Sequence, residues 1–139
     1  MTAECYHLIA MNKLEGVHPE LIDKVHRILM AMSALGHAMV VTDGVRTAEE
    51  QHALYEQGRT KPGKIVTNAD GYAKKSNHQP HEDGLGHAVD CAFVDANGRP
   101  TWDDKMPWTA YGACASALGL KWGGSFNAIT DRPHIELIG

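Results

Sequence analysis

The sequence predicts a single α+β domain, with helices toward the N-terminus packed on a small, mainly antiparallel sheet built from the later segments. Three observations lead there. The chain has 139 residues, room for one ordinary domain with its own core and not for two. Its apolar fraction of 43% and charged fraction of 22% are those of a folded globular chain and exclude disorder. Helical periodicity is concentrated early, and short apolar or alternating runs bounded by turn residues come mostly later.

The elements follow in order. After Gly16, Pro19 suits a first helical turn, and Leu21, Val25, Ile28, Leu29 and Met32 share one helical face that Gly36 should end. Ala38 to Thr42 reads as a short buried strand, turned by Asp43-Gly44. Thr47 with Glu50 three residues later forms a capping box, so a second helix should run to about Gln57 and stop at Gly58. Arg59 to Pro80 has little periodicity, and a loop of that length in a small domain is usually functional. Gly86 to Val94 reads as a strand with Ala88, Asp90 and Ala92 on one face and Val89 and Cys91 on the other. Asn97-Gly98 signals a hairpin turn. Pro107 to Leu118 is a third helix closed by Gly119, and Leu120 to Trp122 and His134 to Ile138 supply two last short strands.

Several function classes fall away on composition. With 13 basic against 17 acidic residues the formal charge is −4, which argues against a nucleic-acid partner. No apolar run is long enough for membrane insertion. Cys5, Cys91 and Cys114 are odd in number and lack CxxC spacing, so a disulfide framework and a thiolate zinc site are both disfavoured, and each reads as a small buried hydrophobe. Met1 to Ala10 carries Glu4 and His7 and no basic segment, so synthesis in the cytoplasm without a secretory signal is expected. Nine histidines are many for this length, and imidazole is the commonest metal ligand.

Two clusters concentrate the chemistry. The first runs from Ser76 to Asp90. Aspartate is a poor strand former, yet Asp90 stands between Val89 and Cys91, and a carboxylate there needs a partner: a metal or an ion pair. The second is Asp131-Arg132-Pro133-His134-Ile135-Glu136, in which alternation puts His134 and Glu136 on one face and Ile135 and Leu137 on the other. Two histidine and aspartate clusters without thiolates favour a zinc ion held by two imidazoles and one carboxylate, with an open fourth position.

In their order along the chain, Gly44-Val45-Arg46-Thr47, Ser76-Asn77-His78, Gly86-His87-Ala88-Val89-Asp90, Trp122-Gly123-Gly124 and Asp131-Arg132-Pro133-His134-Ile135-Glu136 resemble the motifs of a known family. It is the family of zinc D-alanyl-D-alanine carboxypeptidases and phage endolysin peptidases, which includes L-alanyl-D-glutamate endopeptidases and has a hedgehog-type fold. The likeness spans about Gly16 to Leu137. It implies one zinc on His78, Asp90 and His134, a general base at Asp131, and a substrate or oxyanion contact from Arg46, with Ser76 and Trp122 near the substrate. The base must reach the reacting water without being a ligand, and Asp131, three residues from His134 across a Pro133-containing turn, suits that. One departure stands out: four extra residues separate His78 from the Gly-x-Ala-x-Asp motif, so His78, His81 and Asp83 all compete for the first ligand position.

The resemblance implies a monomeric zinc peptidase acting on the stem peptide of peptidoglycan, of the phage or prophage endolysin type, made in the cytoplasm and reaching the wall through a separate pore. A D,D-carboxypeptidase of wall metabolism and a non-catalytic zinc-binding module of the same fold are the rivals, and an unligated Asp131 would speak against the module. His87 should pack away from the metal. His7, His18, His26, His37 and His52 are expected in surface or capping roles. Trp102, Trp108 and Trp122 are expected in the core, with Trp122 also placed to line a cleft. The Arg59, Lys61, Lys64, Lys74 and Lys75 loop reads as a solvated segment or a lid that meets an anionic polymer.

Overall fold

The computed structural model describes residues 13–139, so Cys5, His7 and the segment from Met1 to Ala10 lie outside the described residues. Three helices, α1 (Pro19–Ala34), α2 (Ala48–Glu56) and α3 (Trp108–Ala117), accompany five strands, β1 (Met39–Asp43), β2 (Ala88–Val94), β3 (Pro100–Thr101), β4 (Lys121–Trp122) and β5 (His134–Glu136). Every strand pair is antiparallel, in the order β1-β2-β5-β4, with β3 also pairing β2. The architecture is the expected α+β one. Gly36, Gly58 and Gly119 follow the three helices at positive φ.

Helix α1 buries Leu21, Val25, Ile28 and Met32 on the predicted stripe, while Leu29 is only partly covered. Its opposite face carries the i, i+4 pairs Lys24–Glu20 and Arg27–Asp23. His18 is the N-cap, its Nδ1 accepting from the Glu20 amide at 3.1 Å. The capping box at Thr47 and Glu50 is complete. The core lies between these helices and one face of the sheet, where Val89, Cys91, Phe93, Ile135 and Val41 meet α1 together with Trp108, Tyr111 and Ala115 of α3.

Two expectations need correction. Trp102 is 53% exposed, because β3 pairs over only two residues and nothing follows to cover the ring. Cys114 is half-buried against Met32 Sδ, unlike the fully buried Cys91. The hairpin expected at Asn97-Gly98 joins β2 to β3, and Asp95 bridges it, its carboxylate accepting from the Asn97 and Arg99 amides and its carbonyl from Gly98.

Trp122 is half-buried, and its indole lies so close to Gly112 and Gly124 that a Cβ on either glycine would overlap the ring. Alanine normally improves a helix interior by up to about 1 kcal/mol over glycine. Gly112→Ala should instead destabilise this protein by about 1–3 kcal/mol through overpacking, measured by denaturant unfolding.

Candidate active site

Strand register creates the site. Asp90 on β2 is paired with Asp43 on one side and with His134 on the other, so the three side chains form one rung on the sheet face away from the core. A bulge between Val41 and Asp43 brings Asp43 into that rung. Two neighbouring carboxylates repel unless a cation separates them, and Arg46 does so. Its Nε donates to Asp43 Oδ2 at 2.6 Å, its Nη2 to Asp90 Oδ2 at 3.1 Å and its Nη1 to Gln51 Oε1 at 3.0 Å.

The other Asp90 oxygen, Oδ1, is buried and has no hydrogen-bond partner. It lies 3.3 Å from His78 Nε2 and 3.3 Å from His134 Nδ1, and those nitrogens are 3.2 Å apart. The outer partners set the tautomers. His78 Nδ1 meets the Gly44 carbonyl at 2.8 Å and His134 Nε2 meets Glu136 Oε1 at 2.7 Å; both oxygens accept, so both of those nitrogens carry the protons. In the neutral rings this leaves two nitrogen lone pairs and a carboxylate oxygen converging on one point. Only a cation can sit among them. Ligand atoms about 2.0–2.1 Å from a tetrahedral zinc stand about 3.3–3.4 Å apart, so the donor set fits zinc without rearrangement.

The electrostatics carry the same demand. Burial raises Asp90, but the neighbouring His134 and His78 imidazoles outweigh it and hold the carboxyl well below its usual range. Burial lowers His134, yet the Asp90 and Glu136 carboxylates more than reverse this and raise it from 6.5 to about 9. In metal-free protein a proton stands in for the cation. A raised imidazole contributes stability that is fully present below its unfolded value of 6.5 and lost as pH rises through about 9. The melting temperature of metal-free protein should therefore fall between pH 6.5 and 9.5, and added zinc should restore it, as calorimetry with and without a chelator would show.

Asp131 stands beside this trio without joining it, its Oδ2 3.8 Å from His134 Nδ1 and its side chain 42% exposed. Burial and then the charge of Asp90 raise its pKa. The turn that carries it is pinned on several sides. Trp122 Nε1 donates to the Arg132 carbonyl at 2.7 Å, Tyr111 Oη donates to the Pro133 carbonyl at 2.8 Å, and the Asp131 amide donates to Gly123 O at 2.9 Å. Any side chain at position 123 would overlap the Asp131 carbonyl, so Gly123 permits this approach. The rung and Asp131 open into a cleft of about 820 Å³ walled by residues 64–69 and 125–130.

Residues 70–137 match the family described as D-alanyl-D-alanine carboxypeptidase. Over 130 residues the chain is 34% identical to the peptidoglycan L-alanyl-D-glutamate endopeptidase CwlK of Bacillus subtilis (strain 168), covering 88% of this chain and 74% of that protein. This chain belongs to the D-alanyl-D-alanine carboxypeptidase family of peptidases. Among solved structures it is similar to the L-Ala D-Glu endopeptidase ChiX of Serratia marcescens, with a TM-score of 0.62 at 25% identity over 94% of this chain and 86% of that one. It shares its fold with the vancomycin-resistance D,D-pentapeptidase VanY, solved in complex with Zn(II), with a TM-score of 0.60 at 17% identity over 88% of this chain and 73% of that one.

In this peptidase it is His78 that stands in the trio with Asp90 and His134. His81 and Asp83 lie elsewhere: His81 stacks on His87 at 3.7 Å, and Asp83 Oδ2 is 2.8 Å from His87 Nε2. The extra residues form a closed excursion, with the His81 amide bonded to Leu85 O. Ser76 lines the cleft and its Oγ accepts from the His78 amide at 3.2 Å. Trp122 is not among the cleft-lining residues; squeezed between two glycines, it braces the Asp131 turn from behind in place of the expected substrate contact. Arg46 lines the cleft, but its three nitrogens already have side-chain acceptors, so its first role is to hold Asp90. Arg46→Lys cannot reproduce that fork. It should weaken zinc binding by about 10–100-fold and lower activity with it, measured by competition with a chromogenic chelator.

Sequence reasoning passed over Gln51, Asn77 and Tyr111. Gln51 is fully buried and ties Arg46 to the loop wall, its Nε2 donating to Thr67 Oγ1 at 3.2 Å and Ala69 O at 3.0 Å. Asn77 Nδ2 donates to Glu136 Oε2 at 2.6 Å and so steadies the carboxylate that orients His134. A polar residue inside a short helix was the available signal for Gln51; nothing local marks the other two.

Proposed function

We propose that this peptidase is a zinc endopeptidase that cleaves the L-alanyl-D-glutamate bond in the stem peptide of peptidoglycan. The observation that carries the reading is the convergence of three electron-pair donors on one point, with Asp131 unligated beside it in an open cleft. The names of CwlK and ChiX support the choice of bond.

In this reading His78 Nε2, His134 Nδ1 and Asp90 Oδ1 hold the ion, while Arg46, Gly44 O and Glu136 keep those atoms aimed. A bound zinc ion supplies Lewis acidity toward the scissile carbonyl and toward a water. Asp131 accepts the proton of the attacking water and returns it to the leaving amine, standing beside the trio without joining it. Every one of these residues comes from one chain, which supports a monomer as the working unit. Among the described residues no helix is long and apolar enough to cross a membrane.

Digestion of purified peptidoglycan by zinc-loaded protein, followed by mass spectrometry, tests the proposal. Peptides beginning with D-glutamate are expected. Release of D-alanine instead would establish the carboxypeptidase activity in the family description. A lytic, endolysin-type setting is the further part of the proposal, supported by the motif resemblance. Host lysis on co-expression with a pore-forming partner, and none without it, is the expected result.

A further inference from the structure

Two rungs make up the sheet face of the site. Below the Asp43–Asp90–His134 rung lies a second, in which Ala88, Glu136 and Lys121 are paired across β2, β5 and β4. Lys121 therefore projects on the same face as the metal centre, two residues along the strand from His134, a rise of about 7 Å. Glu136 feels the charge of Lys121 but makes no ion pair with it, because its oxygens are engaged by His134 Nε2 and Asn77 Nδ2. Lys121 Nζ has no ion pair among the described residues; it sits 5.5 Å from the Phe126 ring centroid. Lys64 and Lys74 line the same cleft, and neither forms a described ion pair. Charge bookkeeping then separates floor from rim. On the floor Asp90 is held by Arg46, and Glu136 by His134 and Asn77. Outside it, apart from the base Asp131, the cleft's unpaired charges are three ammonium groups, in a chain whose formal charge is −4. Half-exposed Ile65 and Val66, with Phe126 and Ile129, supply short apolar surfaces between them.

We propose that this cleft selects peptides that carry a free carboxylate within about one residue of the scissile bond, and that Lys121 binds that carboxylate, with Lys64 and Lys74 reinforcing it. The proposal rests on the peptidase reading above and adds a specificity to it: a stem peptide with its D-glutamate α-carboxylate free is taken, and one amidated there is refused.

Binding and cleavage are measured separately so that the two readings fail separately. Synthetic L-alanyl-γ-D-glutamyl-diaminopimelate, with the glutamate α-carboxylate either free or amidated, is titrated calorimetrically into zinc-loaded Asp131→Asn protein. The free acid should bind about tenfold tighter or more, with the preference shrinking as salt is added. Lys121→Met in the same background should bring the acid to the level of the amide while leaving amide binding and zinc content unchanged. Equal affinity for acid and amide, no binding of either, or a preference that survives the Lys64→Met, Lys74→Met, Lys121→Met triple substitution would overturn the proposal. Cleavage of the two peptides by the wild type is the second arm. Failure to cut either peptide, with the binding preference intact, overturns the assigned reaction and leaves the carboxylate subsite standing.

Discussion

Asp131→Asn should lose about a hundred- to ten-thousandfold in turnover while keeping its zinc. The substitution preserves size and hydrogen-bonding capacity and removes only the ability to accept a proton. Asp131 lies outside the trio of converging donor atoms, and its backbone is pinned by Trp122, Tyr111 and Gly123 independently of the side-chain charge. The fold should therefore be undisturbed. Removing a carboxylate whose pKa is raised by burial and by Asp90 should leave the melting temperature unchanged or slightly higher. Metal content, thermal unfolding and hydrolysis of purified peptidoglycan are the three readouts. Loss of zinc would make Asp131 a ligand; wild-type turnover would remove it from the reaction.

The second large effect is expected at His134. His134→Ala deletes one of three donors and at the same time leaves two acids without their shared partner, since His134 lies between Asp90 Oδ1 at 3.3 Å and Glu136 Oε1 at 2.7 Å. Zinc retention and hydrolysis should both fall to background. The metal-free variant should also be destabilised by about 1–3 kcal/mol relative to metal-free wild type, because Glu136 Oε1 loses its hydrogen bond and Asp90 its neighbouring imidazole. His81→Ala is the matched control. It removes a ring stacked on His87, away from the donor trio, so it should keep zinc and activity. Metal analysis after dialysis against a weak chelator decides the case. A His134→Ala protein that keeps its zinc, or a His81→Ala protein that loses it, would reverse the ligand assignment.

Much of the fold was legible because period and punctuation are local properties. The α1 stripe, the capping box at Thr47 and the alternation of β2 each depend on residues within a few positions of one another. Asp90 was conspicuous for the same reason, as an acid inside an apolar strand. Sequence reading failed where chemistry depends on register between distant segments. Nothing near Arg46 says that Asp43 and Asp90 will flank it, because that follows from a bulge and from cross-strand pairing. The choice among His78, His81 and Asp83 stayed open because a loop carries no register, and only its return to β2 shows which side chain reaches the rung. Trp122 packs against the core as read, but it does not line the cleft: Gly124 beside it is small because the indole fills the space there, and Gly123 because the Asp131 carbonyl does.

Strand β5 carries one donor, follows Asp131 by three residues, and lies between β2 and β4 in the sheet, so its place is filled from both sides. Its contacts with β2 close a chain loop of more than forty residues, which carries an entropic cost. Until that strand docks, no partly folded form holds more than two of the three donors. A metal ion therefore has little to grip in the intermediates and acts on the finished structure, stabilising it by mass action in proportion to how tightly it binds. For a hydrolase, assembly and competence are thereby joined in one step: a chain able to cut is one whose sheet has already closed.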